Sequence, residues 1–197
     1  MIRILTSKDV SRVLARRSAR LADAEGVVRP ILDGVRKYGD KALLEYARKF
    51  DGLTAKSVRV SESDLRGAAK RLSPEFRKAV DVASANVRRY AEKQPPKDSS
   101  GSFGAGHQLG QIVRSLDTIG AYIPAGRYPL PSTLIMTAVP AIVAGVTNVC
   151  VACPKPVDEV YGVAHDLGLR QVFRMGGAQA IAAFAFGTKT VPRADRI

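Results

Sequence analysis

Two adjacent glycines between a short strand pattern and a helix pattern form the segment of this sequence best suited to bind a ligand. In MGGAQ, Gly176 and Gly177 precede a helical stretch rich in small residues. Glycines let the backbone approach a ligand closely, and the first N–H groups of a helix carry partial positive charge. The turn is predicted to suit phosphate, with Gln179 adding an amide that can donate and accept. A tight turn that serves only helix packing is the alternative.

A second turn, YIPAGRYPLPST, places an aromatic side chain where another strand pattern ends. Tyr122 precedes prolines that stiffen the loop, and Ser132 and Thr133 stand at the predicted start of a helix. An aromatic ring at such a turn can cover an adenine or nicotinamide ring, and a core aromatic is the alternative. No GxGxxG follows the first strand, and no P-loop is present, so the common dinucleotide fingerprint is absent.

The cysteines and histidines do not form a catalytic or metal-binding pattern. Cys150 and Cys153 have C-x-x-C spacing, but an offset of three along a strand directs them to opposite faces, and no second pair completes a zinc site. His107 lies in a glycine-rich segment, and His165 lies on a predicted helix where the adjacent Asp166 faces another way. The sequence therefore predicts no catalytic residue and no metal ligand in this chain.

An alternation of strand and helix patterns positions both turns. From residue 120 onward, short apolar runs alternate with helical stretches and end in ADRI, which is typical of a strand start. Strands joined in this way are parallel, and their ligands lie beyond the carboxyl ends. The predicted fold class is α/β: the helical part of an incomplete α/β domain, followed by a parallel, Rossmann-like β-α-β-α-β-α-β layer.

The N-terminal part is predicted to be mostly helical. A short helix over residues 7–20 is followed by two helices that break at Gly39 and Asp40, and SVRV is predicted to be a strand. Capping signals start two further helices at Ser61 and Ser73. The inward positions predicted for the second of these are Phe76, Ala79, Val80, Ala83, Val87 and Tyr90.

Three regions are predicted along the chain. Residues 1–21 form an N-terminal arm, residues 22–119 a partial first α/β domain, and residues 120–197 a Rossmann-like NAD-binding unit that lacks its last turn. The glycine-rich segment KDSSGSFGAGHQLG, a loop or hairpin turn, lies between the helical part and the sheet part.

Composition narrows the class of protein further. The formal charge is +13, and residues 1–119 contribute 24 basic and 14 acidic side chains. Because acids alternate with these bases, a solvated helical surface is expected rather than a nucleic-acid site. The sequence lacks the long apolar run of a membrane span and the cleavage pattern of a signal peptide, so a cytoplasmic location is expected.

Several long motifs resemble the histidinol dehydrogenase family. These are GAYIPAGRYPLPSTLIMTAVPAIVAGV, MGGAQAIAAFAFGT and VPRADRI, together with the N-terminal VRKYGDKALLEYARKFDG. The resemblance runs from near residue 24 to the last residue and corresponds to the N-terminal half of the family's chains. It implies an NAD-dependent, zinc-containing homodimeric enzyme that oxidises L-histidinol to L-histidine in histidine biosynthesis.

The same resemblance assigns Tyr122 and Gln179 to NAD contacts. It implies that the family's zinc ligands, acid-base pair and substrate-binding residues lie beyond this sequence, so none is assigned here. The chain is therefore expected to be a truncated or split member that is inactive alone, binds L-histidinol only when completed by a C-terminal half, and self-associates or pairs with a complementing chain.

Two other functions remain open from the sequence. One is a non-catalytic binding module whose basic face holds a nucleic acid or an acidic partner. The other is a related zinc-dependent alcohol dehydrogenase that acts on a different substrate.

Overall fold

The computed structural model describes residues 7, 10–124, 128–155 and 157–197. Within these residues the chain forms helices and strands in the order expected for an α/β protein. Their bounds are α1 Val10–Tyr38, α2 Asp40–Asp51, α3 Glu62–Arg71, α4 Pro74–Ala91, β1 Ser99–Ser102, β2 Gln108–Gln111, β3 Thr118–Tyr122, α5 Pro131–Val143, β4 Asn148–Ala152, α6 Asp158–Asp166, β5 Gln171–Phe173 and α7 Gly177–Phe186.

The first helix is longer than the sequence indicates. The predicted break at Gly39 is confirmed, since this glycine takes a φ of 54° between α1 and α2. The separate helix predicted over residues 7–20 is wrong, because α1 continues to Tyr38 without interruption. The stretch ARLADA at residues 19–24 holds no glycine or proline and consists mostly of good helix formers, so nothing in it ends the helix.

The next two helices begin at the predicted caps. Ser61 Oγ accepts a hydrogen bond of 3.1 Å from the N–H of Asp64, and Ser73 Oγ accepts one of 3.2 Å from the N–H of Phe76. These bonds satisfy N–H groups that have no partner inside a helix.

Two of the inward positions predicted for α4 are wrong. Ala79 and Tyr90 are exposed, while Val80 is buried and the other predicted positions are partly buried. Helix α4 touches the rest of the fold mainly through α5. This contact buries only part of the apolar face that the spacing predicts.

The sheet is parallel, with β4 between β3 and β5. The glycine-rich segment before it is the antiparallel hairpin of β1 and β2, one of the two predicted forms. The predicted fold class is therefore confirmed.

Segments outside these three strands extend the sheet on both sides. The N–H of Asp195 donates to the Thr118 carbonyl, and the N–H of Gly120 donates to the Arg196 carbonyl, each at 2.8 Å. ADRI thus runs parallel to β3 on the side away from β4. On the far side, the predicted strand SVRV bonds to β5 through Val60, whose N–H donates to the Val172 carbonyl at 2.9 Å, and it runs antiparallel.

Helices cover both faces of the sheet, and each face has its own core. One core cluster lies beneath α3, α4, α5 and α6 and includes Val151 and Cys153. The other lies beneath α1, α2 and α7 and includes Cys150 and Phe184. The two cysteines therefore lie on opposite faces, as the spacing predicts. No helix of the described segments is both long and apolar enough to cross a membrane.

One glycine allows α7 to approach β3 closely. A Cβ at Gly120 would lie 2.6 Å from the ring of Phe184, which is fully buried and makes an edge contact with Phe173. Because the ring has packed neighbours, it cannot move away freely.

We expect Gly120→Ala to lower the free energy of unfolding by about 1–3 kcal/mol, as overpacking of a core does. Urea denaturation followed by circular dichroism measures the change. Gly26→Ala is the control, because nothing lies within 4 Å of a Cβ at Gly26 on helix α1, and alanine raises helix stability there. A Gly120→Ala midpoint equal to that of the unsubstituted chain would show that Phe184 does not constrain this contact.

Candidate nucleotide-binding site

Two turns predicted from the sequence meet at the carboxyl end of the sheet. Tyr122 ends β3 and is half-buried, and its hydroxyl accepts a hydrogen bond of 3.1 Å from the N–H of Gly177. Gly177 is the first residue of α7, which follows β5. Because α7 crosses back over β3, the two residues come together although 55 positions separate them in the sequence.

Gln179 is buried beside this contact and is bonded to a residue that the sequence did not predict. Its side chain is 1% exposed, and its Nε2 donates to Asp51 Oδ2 at 3.0 Å. The same Asp51 oxygen accepts a hydrogen bond of 2.9 Å from the N–H of Gly176. Asp51 thus links the end of α2 to the start of α7.

One signal in the sequence could have drawn attention to Asp51. It is an acidic residue in the last position of α2, immediately before the left-handed Gly52. A negative charge at the C-terminal end of a helix is unfavourable, so a carboxylate there indicates a partner elsewhere in the fold.

Each glycine of the turn is required for a different reason. Gly177 has a φ of 55°, in the left-handed region that other residues rarely adopt. A Cβ at Gly176 would lie 2.7 Å from the Cβ of Pro154 and 2.9 Å from Asp51 Oδ1. The turn therefore favours glycine at Gly177 for its backbone conformation and at Gly176 for lack of room.

The hydrogen bonds of the turn change the ligand chemistry expected from the sequence. The phosphate prediction needs free N–H groups, yet Gly176 donates to a carboxylate and Gly177 donates to a hydroxyl. The expectation that these two amides are unpaired is wrong, because Asp51 and Tyr122 bond to them from other parts of the fold. Phosphate as the ligand of this turn stays a prediction. The side chains present instead are a hydroxyl and an amide.

Strand order indicates where a ligand would lie. The connection from β3 leads to β4 on one side, whereas ADRI returns to the other side of β3. A crevice forms where the strand order reverses in this way, and ligands of open α/β sheets lie at its carboxyl end. Tyr122 stands at that end of β3.

Comparison with known proteins identifies the family of this chain. The family model described as histidinol dehydrogenase matches residues 14–197. The chain belongs to the histidinol dehydrogenase family. The predicted family is thereby confirmed.

Individual relatives are similar over most of this chain. Histidinol dehydrogenase of Escherichia coli strain K12 is 43% identical over 173 residues, covering 86% of this chain and 39% of that protein. That of Vibrio parahaemolyticus is 38% identical over 177 residues, covering 89% and 41%. The crystal structure of histidinol dehydrogenase from Elizabethkingia anophelis matches with a TM-score of 0.81 and 30% identity, covering 87% and 41%. The chain thus spans about two-fifths of the length of these relatives.

For this member of the histidinol dehydrogenase family, the other candidate residues give a mixed outcome. Ser132 and Thr133 lie in the first turn of α5, as predicted. Residues 125–127 of the PAGRYP turn lie outside the described residues. His165 Nδ1 lies 3.1 Å from Asp166 Oδ1, so the expectation that Asp166 faces another way is wrong. Both residues are in the last turn of α6, where neighbouring short side chains can reach each other.

The described residues contain no group of three or more histidine, cysteine, aspartate or glutamate side chains placed to hold a metal ion. Both cysteine thiols are buried. Burial raises the pKa of Cys150 to about 11, and burial also raises the pKa of Cys153. At neutral pH both are therefore protonated, which is the unreactive form of a thiol.

We expect both cysteines to be unreactive toward Ellman's reagent in the folded chain at pH 8. Both should react at once in denaturant, because unfolding exposes them and returns each pKa toward its ordinary value. Absorbance of the released thionitrobenzoate measures the reaction. Cys150→Ala and Cys153→Ala, each leaving one thiol, serve as controls for the endpoint. Rapid reaction of either thiol before unfolding would show that this thiol is not buried.

Proposed function

We propose that residues 120–197 bind the nicotinamide nucleotide of a histidinol dehydrogenase-type enzyme, with Tyr122 and Gln179 as contacts to NAD. The observation that carries the proposal is the hydrogen bond between Tyr122 and Gly177. It lies at the carboxyl end of β3, the strand at which the strand order reverses. Family membership supports the same assignment. When bound, NAD would supply the hydride acceptor for the oxidation of an alcohol.

The donor and acceptor groups of the turn fit particular parts of the nucleotide. Because the Tyr122 oxygen already accepts from Gly177, its own proton is free to donate to an oxygen or nitrogen of the ligand. Gln179 carries an amide that suits a ribose hydroxyl or the carboxamide of nicotinamide. The pyrophosphate does not fit on the N–H groups of Gly176 and Gly177 unless Asp51 or Tyr122 is displaced.

Exposure gives the two residues different parts in binding. Tyr122 is half-buried, so it can meet the nucleotide first. Gln179 is 1% exposed, so a ligand reaches it only by displacing atoms that cover it.

The whole reaction is proposed at the level of the family: oxidation of L-histidinol to L-histidine in histidine biosynthesis. The family implies zinc, but the described residues contain no group of side chains placed to hold a metal ion. Four further expectations stay predictions: self-association, pairing with a complementing chain, a cytoplasmic location, and the division into regions 1–21, 22–119 and 120–197.

Oxidation of a different alcohol by the same cofactor is the alternative to be tested alongside L-histidinol.

We expect Tyr122→Phe to weaken NAD binding by roughly fivefold, equivalent to about 1 kcal/mol for one neutral hydrogen bond. Titration of ¹⁵N-labelled chain with NAD measures the affinity, and the amide of Gly177 should shift during the titration. Tyr90→Phe is the matched control, because Tyr90 is exposed on α4, across the sheet from α7. If NAD at millimolar concentration leaves the Gly177 amide unshifted, the proposed function is wrong.

The expectation that these 197 residues alone do not oxidise L-histidinol stays a prediction as well. The measurement is NADH absorbance with purified chain, NAD, zinc and L-histidinol. A full-length histidinol dehydrogenase under the same conditions is the positive control. Sustained NADH formation by the 197-residue chain would contradict the prediction.

A further inference from the structure

Asp51 lies at the end of one helix, but its hydrogen-bond partners lie at the start of another. Its Oδ2 accepts from the N–H of Gly176 and from Nε2 of Gln179. At the C-terminal end of α2 a carboxylate faces the negative end of the helix dipole, which is unfavourable. At the N-terminal end of α7 it faces the positive end, which is favourable. The contact with α7 therefore accounts for an acidic side chain at this position.

The backbone around Asp51 is fixed to the sheet. The carbonyl of Gly52 accepts a hydrogen bond of 3.1 Å from a guanidinium nitrogen of Arg174. The N–H of Arg174 in turn donates to the carbonyl of Val58 at 2.7 Å. The segment after α2 is thus bonded to the residue that leads from β5 into the glycine turn, so the carboxylate has a defined position.

This position sets the orientation of the Gln179 amide. The NH₂ group of Gln179 faces Asp51, because Nε2 donates to a carboxylate oxygen there. The other amide atom, Oε1, then lies on the side of Gly177, 2.9 Å from where a Cβ at that residue would stand. Gln179 consequently offers an acceptor on the side where Gly177 meets the Tyr122 hydroxyl.

We propose that Asp51 is a positioning residue for nucleotide binding: it holds Gln179 so that, once the ligand has displaced the atoms that cover this side chain, Oε1 accepts from a ribose hydroxyl or a carboxamide NH₂ of the ligand. This inference rests on the proposed function. Asp51 itself does not contact the ligand, and it acts through Gln179 and Gly176.

Helix α2 provides a matched control at its other end. Asp40 Oδ2 accepts a hydrogen bond of 2.7 Å from the Thr190 hydroxyl, and Asp40 Oδ1 accepts one of 3.3 Å from the Thr190 N–H. Asp40 therefore ties α2 to the segment after α7, as Asp51 ties it to the start of α7. A residue that only stabilises the fold should behave like Asp40.

The experiment compares Asp51→Asn with Asp40→Asn in the 197-residue chain. Both substitutions should lower the urea midpoint, since each weakens a charge-assisted bond between α2 and the α7 region. Asp51→Asn should also weaken NAD binding roughly tenfold, whereas Asp40→Asn should leave the dissociation constant within about twofold. Removing a negative charge would by itself favour an anionic dinucleotide, so the expected loss has the opposite sign to a general charge effect.

The outcomes separate this inference from the proposed function. Equal NAD affinity for Asp51→Asn and the unsubstituted chain, or equal weakening by both variants, overturns the positioning role and leaves the proposed function in place. If the unsubstituted chain does not bind NAD, the proposed function fails.

The ligand-free NMR spectrum then tests whether Asp51 fixes the Gln179 amide. The Gln179 side-chain amide signal should shift and exchange faster in Asp51→Asn but not in Asp40→Asn. An unchanged signal in Asp51→Asn overturns the positioning role.

A second variant covers the case in which Asp51→Asn does not fold. Asp51→Glu retains the charge and moves the carboxylate by one methylene, so the fold keeps a partner for the start of α7. We expect Asp51→Glu to shift the Gln179 amide signal and to weaken NAD binding. Affinity and amide signal both equal to those of the unsubstituted chain would overturn the proposal.

Discussion

The close packing of α7 on β3 is the contact on which the candidate site depends. Because Gly120 has no side chain, the Phe184 ring fits against the strand. This fit brings the N-terminal end of α7 to the end of β3, where the Gly177 N–H meets the Tyr122 hydroxyl. Helices α1 and α2 then pack on the same face. A packing constraint in the sheet therefore determines which polar groups can meet above it.

The helical first part of the chain contributes directly to the turn in the second part. Helix α2 carries a carboxylate at each end, and both carboxylates bond to segments that flank α7. The segment after α2 also pairs with β5. These contacts join residues more than 100 positions apart, so the geometry of the turn depends on both parts of the chain being folded together.

Local signals made much of the fold predictable, whereas the partners of the site were not. Caps at Ser61 and Ser73, the break at Gly39 and the strand-helix alternation after residue 120 act over a few residues, so the sequence displays them. The resemblance to a known family singled out Tyr122 and Gln179. Asp51 could not be assigned to Gln179, because their contact depends on how α2 packs and no spacing in the sequence records that packing. Free N–H groups were expected at the glycine turn for the same reason.

The two cysteines lie in separate cores on opposite faces of one sheet. Each thiol therefore becomes accessible when a different helical layer opens. Cys150 lies in the core beneath α1, α2 and α7, and Cys153 lies in the core beneath α3, α4, α5 and α6. Proteins open locally in cooperative units that need not have equal stability. The order in which the two thiols become labelled under mildly destabilising conditions would therefore report which layer separates from the sheet first, with no substitution needed to introduce a labelling site.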